Sequence, residues 1–474
     1  MLNPNFESET TDAVAFIRRY HTTIGDRRVK TDMQPGDVLN QIPATPPEEG
    51  TAFAQMLEDT EQIILPGLTH WQHPGFMGLF PSNISQPSFL GEVVAAGLGV
   101  NCMMWDTAPA AAELEQRMME WLRQLSGLPD TFQGVLQDTA STATLTAIIL
   151  AREKITGHSA NEEGLYGLPP LVMYTSAQAH MSVEKGAKAA GIGSKNVRKI
   201  QVLSDQSMDA EALRKAIEKD KEAGLTPFMV TATAGTTGSL AFDNLEKIGA
   251  LCQEFNLWMH VDAAYAGNAF LLPEYDHLKK GIARADSYVF NPHKWLFTHF
   301  DCSAFYIKDT EHLLRTFSTS PDYLRASREG IRNYKDWGLP LGRRFRALKL
   351  WYVMRGYGRK GLQQLLRHHI TLTEELFALL SAHPHWEFAA PMAMNVITLR
   401  WRHMGLTEEQ LNDLNRELLA DINRDGRFYL TPTILDGRFV IRIVPAQTNL
   451  SAQHIKELYH LMESKATAMD GRFS

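Results

Sequence analysis

From residue 171 onward, short apolar runs alternate with stretches whose apolar residues recur every three or four positions. The runs are Leu171–Tyr174, Val197–Leu203, Pro227–Thr233, Leu257–Val261, Ser287–Phe290 and Ser303–Ile307. Continuous apolar runs separated by helical periods predict strands buried on both faces, and hence an α/β fold with a mostly parallel, doubly wound sheet and helices on both sides. Ligands of such sheets bind beyond the C-terminal ends of the strands, so the residues just after each run are the candidates for chemistry. Outside this region the period changes. Residues 9–24 put Ala13, Phe16, Ile17 and Tyr20 on one helical face, followed by a connection through Pro43, Pro46 and Pro47. A second helix carries Leu114, Met118, Trp121, Leu122 and Leu125 as core and stops at Gly127 and Pro129. Toward the C-terminus, a run Val396–Arg400, a helix Thr407–Ile422, an Asp436-Gly437 hairpin signature and a final helix from Ser451 predict an α+β cap. The expected division is an N-terminal helical arm (1–80), a large domain (81–355) and a small C-terminal domain (356–474). Residues 316–330 have no sustained period and carry charge; they read as a long loop, which compact domains seldom keep without a function.

Composition narrows the partners. The chain has 474 residues, 44% hydrophobic, with a net charge of -7, which argues against a nucleic-acid or anionic-membrane surface and favours small metabolites. Cys102, Cys252 and Cys302 form no CxxC pair, and their odd number offers no disulfide framework, so a reducing cytoplasm is expected. The start Met-Leu-Asn-Pro-Asn-Phe-Glu-Ser-Glu-Thr is not a signal peptide, and no apolar run reaches membrane-spanning length. His70 and His73 have no second His or Cys pair at ligand spacing, so no metal site is expected.

Two strand ends carry chemistry. The run ending Val289-Phe290 leads through Asn291-Pro292-His293 to Lys294. Desolvation lowers an amine's pKa, and a lysine with access to its neutral form can hold an aldehyde as a Schiff base, the way pyridoxal phosphate is held. The bland alternative is a surface lysine after a core strand. Upstream, Leu257–Val261 ends in Asp262 followed by small residues; an acid there can pair with a pyridinium nitrogen and keep it protonated, which makes the cofactor an electron sink. The alternative is an aspartate capping the following turn.

Asn-Pro-His-Lys-Trp after His-Val-Asp-Ala-Ala-Tyr-Ala-Gly resembles the pyridoxal-phosphate-dependent aromatic-L-amino-acid decarboxylases (the group II family of dopa, tyrosine and tryptophan decarboxylases), and the resemblance covers nearly the whole chain. It implies a fold-type I, seven-stranded-type sheet and a homodimer whose N-terminal arm packs on the partner. Small and hydroxylated residues opening the helix after Asp138 form a weak anion-site signal; the resemblance gives Ala140 and Ser141 the cofactor phosphate, with Thr139 nearby and Asn291 addressing it too. It assigns His180 to stacking on the pyridine ring, Thr237 to a cofactor contact, Asp262 and Ala264 to the ring nitrogen and face, and His293 and Lys294 to the same site.

The stretch from His70 to Asn83 is too rich in Gly and Pro for a regular element and too aromatic for a solvated loop, and reads as a pocket wall. By resemblance Trp71, Leu79, Phe80, Pro81, Ser82 and His180 meet substrate, and Met103 reaches the neighbouring subunit's pocket. The chain departs from the family at Leu79, often tyrosine, and at Ser82, often threonine, which leaves the preferred aromatic amino acid open. Tyr323 matches the loop tyrosine that protonates the substrate's α carbon. In related aldehyde synthases that tyrosine or the stacking histidine is replaced; both are present here, which favours the amine product. An acidic-substrate decarboxylase needs an added cation, and residues 70–83 and 101–105 contain no Arg or Lys. A silent cofactor-binding interaction protein is disfavoured by the joint presence of Lys294, Asp262, His180 and Tyr323.

Overall fold

The computed structural model describes residues 3–318 and 331–470. Seven strands form the main sheet: β1 (Gln133–Gln137), β2 (Leu171–Ser176), β3 (Val197–Ile200), β4 (Thr226–Thr233), β5 (Trp258–Asp262), β6 (Ser287–Phe290) and β7 (Ser303–Ile307), in the order β1-β7-β6-β5-β4-β2-β3. Strands β2 to β6 pair in parallel, whereas β7 runs antiparallel to both β6 and β1. Every residue of β2, β5, β6 and β7 is buried, which is why these strands read as continuous apolar runs.

Strand β1 lies upstream of the apolar runs that predict the sheet and is not among them. The strand is five residues long and the helix Ala140–Ile155 begins three positions after it, too little pattern to separate the two. Gly134 is required there, since a Cβ would lie 2.3 Å from Met119 Cε and 2.8 Å from the Tyr306 ring. Ala143, Ala147 and Ile148 of this helix join Met229, Trp258, Val289 and Phe305 of the sheet in one buried cluster. In the helix Pro109–Ser126, Met118 and Leu122 are fully buried, but Leu114, Trp121 and Leu125 are only half-buried. The buried face there centres on Ala111, Glu115 and Met119, and Glu115 is turned inward by its bonds to Arg343 and the Leu136 N–H.

The chain divides into two compact units. One comprises residues 82–371 and 388–398 and holds the main sheet. The other comprises the residues up to 81, 372–387 and those from 399 onward. A four-stranded sheet adds β8 (Trp386–Phe388), β9 (Ile397–Trp401), β10 (Thr431–Leu435) and β11 (Arg438–Ile443) in the order β10-β11-β9-β8. The β10–β11 turn is Asp436-Gly437 with φ of 50° and 76°, the left-handed pair that the dipeptide predicts. Helix Glu408–Asp425 opens with a capping box between Thr407 and Gln410. The helix Phe6–Thr23 half-buries its stripe of Ala13, Phe16, Ile17 and Tyr20, and the Tyr20 hydroxyl meets His70 Nδ1 at 2.9 Å.

Of the expected loop 316–330, Thr316 and Phe317 close the helix Thr310–Phe317 instead, and residues 319–330, with Tyr323, lie outside the described residues. Among the described residues no helix is long and apolar enough to cross a membrane.

Candidate active site

Asp262 and Phe290 end the neighbouring parallel strands β5 and β6, with Asp262 opposite Val289. Asp262 is 5% exposed, and its Oδ1 accepts the Ala264 N–H at 3.0 Å. One carboxylate oxygen thus does cap the turn, the alternative left open by the sequence. The Ala264 carbonyl accepts the Asn291 N–H at 2.9 Å, which ties the turn after β5 to the turn after β6.

Lys294 lies half-buried in the four-residue helix Pro292–Trp295. Its N–H bonds the Asn291 carbonyl at 2.9 Å, and the same carbonyl accepts Asn268 Nδ2 at 3.0 Å. Asn291 Oδ1 accepts the Ser303 hydroxyl at 2.7 Å, leaving Nδ2 as the end of its amide with donors to offer. His293 is clamped by Cys302, which donates its N–H to Nδ1 at 2.9 Å and accepts the His293 N–H at 3.2 Å. Burial, with the Lys294 charge behind it, pushes the His293 pKa down to about 3, so the ring is neutral with its proton on Nε2. Trp295 locks the other side. Its indole stacks on Tyr265 at 4.8 Å and donates to His369 Nδ1 at 3.0 Å, while Asn395 Nδ2 bonds the Tyr265 hydroxyl at 2.7 Å.

His180 follows β2. Its Nδ1 receives the Ser182 N–H at 3.2 Å and lies 2.8 Å from the Ser182 hydroxyl, which puts the neutral ring's proton on Nε2. Partial burial lowers its pKa, Asp262 pulls it up and Lys294 pushes it down. Three residues far apart in sequence therefore share one electrostatic neighbourhood. At the start of helix Ala140–Ile155, Thr139 caps the first turn by accepting the Thr142 N–H at 3.4 Å; Ala140 is buried and Ser141 exposed. First-turn N–H groups lack intrahelical partners and face negative charge favourably. After β4, Gly235 (φ 98°) would place a Cβ 2.7 Å from Ala266 Cβ, so the turn tolerates only glycine. Thr236 is buried and spends its hydroxyl on the Ala241 N–H at 3.0 Å, whereas Thr237 is exposed.

This unit also holds Ser82 and Met103, both half-buried; the Met103 carbonyl accepts the Lys335 N–H at 2.9 Å. In the other unit Trp71, 39% exposed, stacks on Phe76 at 4.6 Å; Leu79 is exposed, Phe80 half-buried and Pro81 buried. The buried Arg442 guanidinium lies 4.3 Å over the Phe80 ring. Sequence reading missed this cation, although a charged residue inside the apolar run Phe439–Val444 is itself a signal. It also missed Ser303, Cys302 and His369. An amine able to hold an aldehyde, a buried acid and a hydroxyl-lined helix start match the aldehyde, ring nitrogen and phosphate of pyridoxal phosphate, so the donor set fits that group.

Similarity to known proteins agrees. The family profile described as pyridoxal-dependent decarboxylase conserved domain matches residues 35–402. An aromatic-L-amino-acid decarboxylase of Bos taurus is 40% identical over 480 residues, covering 98% of this chain and 96% of that protein. A phenylacetaldehyde synthase of Arabidopsis thaliana is 39% identical, covering 96% of this chain and 94% of its own. The crystal structure of Oryza sativa TDC with PLP and tryptamine superposes with a TM-score of 0.95 at 32% identity, covering 99% of each chain. The coincidence of profile, full-length similarity and strand-end chemistry places the chain in the pyridoxal-dependent decarboxylase family, as a pyridoxal 5'-phosphate-dependent carboxy-lyase.

Proposed function

We propose that the enzyme removes the α-carboxylate of an aromatic L-amino acid, releasing the arylalkylamine and carbon dioxide. The observation that carries this reading is the shared field of Asp262, Lys294 and His180, an acid, an amine and a flat imidazole at the ends of parallel strands. When bound, the cofactor supplies an aldehyde for the lysine and an electron sink for the carbanion left by decarboxylation. Lys294 anchors it, and Asp262 keeps the proton on the ring nitrogen with the oxygen that the turn does not use. His180 covers the ring and offers its Nε2 proton to the carboxylate, together with Ser82. Ala140, Ser141 and Asn291 hold the phosphate, with Thr139 nearby; Thr237 makes a further cofactor contact, His293 braces Lys294, and Ala264 lets the ring lie close.

Trp71, Leu79, Phe80 and Pro81 supply apolar surface for the substrate's aromatic group, and Met103 supplies it to the neighbouring subunit's pocket. A substrate with a second, side-chain acid would need an added cation, and residues 70–83 and 101–105 contain no Arg or Lys. Tyr323 returns a proton to the α carbon. A homodimer suits the exposed Leu90, Val93, Val94 and Leu98, which fall on one face of helix Gln86–Leu98. Three free, buried cysteines suit the cytoplasm.

The test is mass spectrometry of products from the cofactor-loaded enzyme given mixed aromatic L-amino acids and glutamate. Aromatic amines without aldehyde are expected. Aldehyde with ammonia would favour the aldehyde-synthase chemistry named for the Arabidopsis relative, and the glutamate product alone would refute the aromatic pocket. Lys294→Ala is expected to abolish turnover and cofactor attachment.

A further inference from the structure

A row of buried polar groups lies behind Asp262 and is not used by the chemistry above. Register places Thr231, His260 and Ser287 side by side across β4, β5 and β6, and Thr233, Asp262 and Val289 side by side two residues further on. Positions two apart share a face of the sheet, so both rows stand on the same side, about 6–7 Å apart along the strands. Helix Ala140–Ile155 covers that side with the small residues Ala143 and Ala147. Thr231 and His260 are 0% exposed and Thr233 4%. His260 Nε2 and the hydroxyls of Thr231 and Thr233 have no hydrogen-bond partner among the described residues. Buried polar atoms left over in this way are commonly joined by an internal water, which needs two to four such partners.

The other end of the imidazole is fixed. Trp258 Nε1, which can only donate, bonds Ser287 Oγ at 2.9 Å, and His260 Nδ1 lies 2.9 Å from the same oxygen. The assignment that uses every hydrogen has the Ser287 hydroxyl donating to Nδ1, leaving Nε2 as the N–H end of a neutral ring.

We propose that His260 is a positioning residue for Asp262, reaching it through a water held between His260 Nε2–H and the Thr231 and Thr233 hydroxyls. The inference rests on the reading of Asp262 as the partner of the cofactor's ring nitrogen. The row keeps that carboxylate aimed while the turn at Ala264 holds its other oxygen.

Two substitutions separate this role from packing. His260→Asn keeps an amide where Nδ1 meets Ser287 but loses the reach of Nε2; His260→Gln restores that reach. His260→Asn is expected to lower kcat about tenfold, the order expected for one lost buried hydrogen bond, with little change in KM, and to shift the visible absorption of the bound cofactor. His260→Gln is expected to recover most of both. Asn and Gln variants indistinguishable from wild type in spectrum and kcat would overturn the proposal. Ring 15N shifts of His260 in the wild-type apoprotein provide a readout independent of turnover and of variant folding: a proton on Nε2 is expected, and one on Nδ1 would overturn the relay. The underlying reading fails separately, if the wild-type protein takes up no cofactor or if Lys294→Ala leaves the visible band unchanged.

Discussion

The pair Glu115–Arg343 offers the sharpest quantitative test of how the site is held. Arg343 Nη2 bonds Glu115 Oε1 at 2.6 Å and the Leu136 carbonyl at 2.6 Å, Nη1 bonds Oε2 at 3.0 Å, and Oε1 also accepts the Leu136 N–H at 2.8 Å. The side chains are 6% and 3% exposed, and the guanidinium lies 4.9 Å over Tyr334. Replacing either partner by methionine strands a buried charge, a loss of about 3–5 kcal/mol each. If the effects were independent the double variant would lose about 6–10 kcal/mol. With both charges gone, what remains is mainly the Leu136 N–H and C=O, at about 1–3 kcal/mol apiece, so the double variant is expected to lose only about 2–6 kcal/mol. Urea unfolding of the four proteins, followed by far-UV circular dichroism, measures the cycle. Single losses below about 1 kcal/mol, the worth of an exposed pair, would refute the reasoning, as would strict additivity. The Arg343 carbonyl accepts the Cys102 N–H at 2.9 Å and its N–H bonds Asn101 Oδ1 at 3.0 Å, so the single variants are also expected to raise the substrate KM by loosening the chain before Met103.

Three further outcomes are expected. Burial depresses His260 to about 4 and His293 to about 3, so the unfolded chain takes up their protons near pH 6.5 while the folded chain does not; each costs about 1.4 kcal/mol per pH unit as pH falls from about 6.5 to about 4. The buried Asp243, raised to about 6, works the other way between about pH 6 and 4, because the folded state binds its proton first. The net is a stability that declines on acidification, read as the urea midpoint of the apoprotein; a midpoint constant from pH 6.5 to 4.5 would refute it. Tyr323→Phe is expected to divert product from amine to aldehyde, measured by mass spectrometry, and an undiminished amine yield would remove that residue's role. Gly235→Ala, forced into a positive φ against Ala266, is expected to weaken cofactor binding severalfold by fluorescence titration; unchanged affinity would show that the turn relaxes.

Asp262 stood out in the sequence because it ends one apolar run, and Lys294 because it follows another; the fold sets those two strand ends side by side. The Asp436-Gly437 turn was legible for a local reason as well, since its dihedral demands suit those two residues. What could not be read was partnership across distance. Arg442 lies on Phe80, Ser303 orients Asn291, and His369 receives the Trp295 indole; no spacing in the sequence announces these pairs. Helical period overstated the burial of Leu114, Trp121 and Leu125, because it cannot foresee that an inward glutamate with a buried arginine partner turns the face. Hydroxyl composition alone also could not tell Thr236, committed to its turn, from the exposed Thr237.

The reversed direction of β7 has a consequence for motion. Because it runs against β6, its first residues arrive at the edge where the parallel strands end, so Cys302 and Ser303 reach back to His293 and Asn291. The short segment carrying Lys294 is therefore fastened from upstream and downstream at once, with Trp295 wedged between Tyr265 and His369. Its backbone is a fixed pivot. Any travel of the lysine amine, toward a bound aldehyde or away from it, is left to the torsions of its own four-carbon stem.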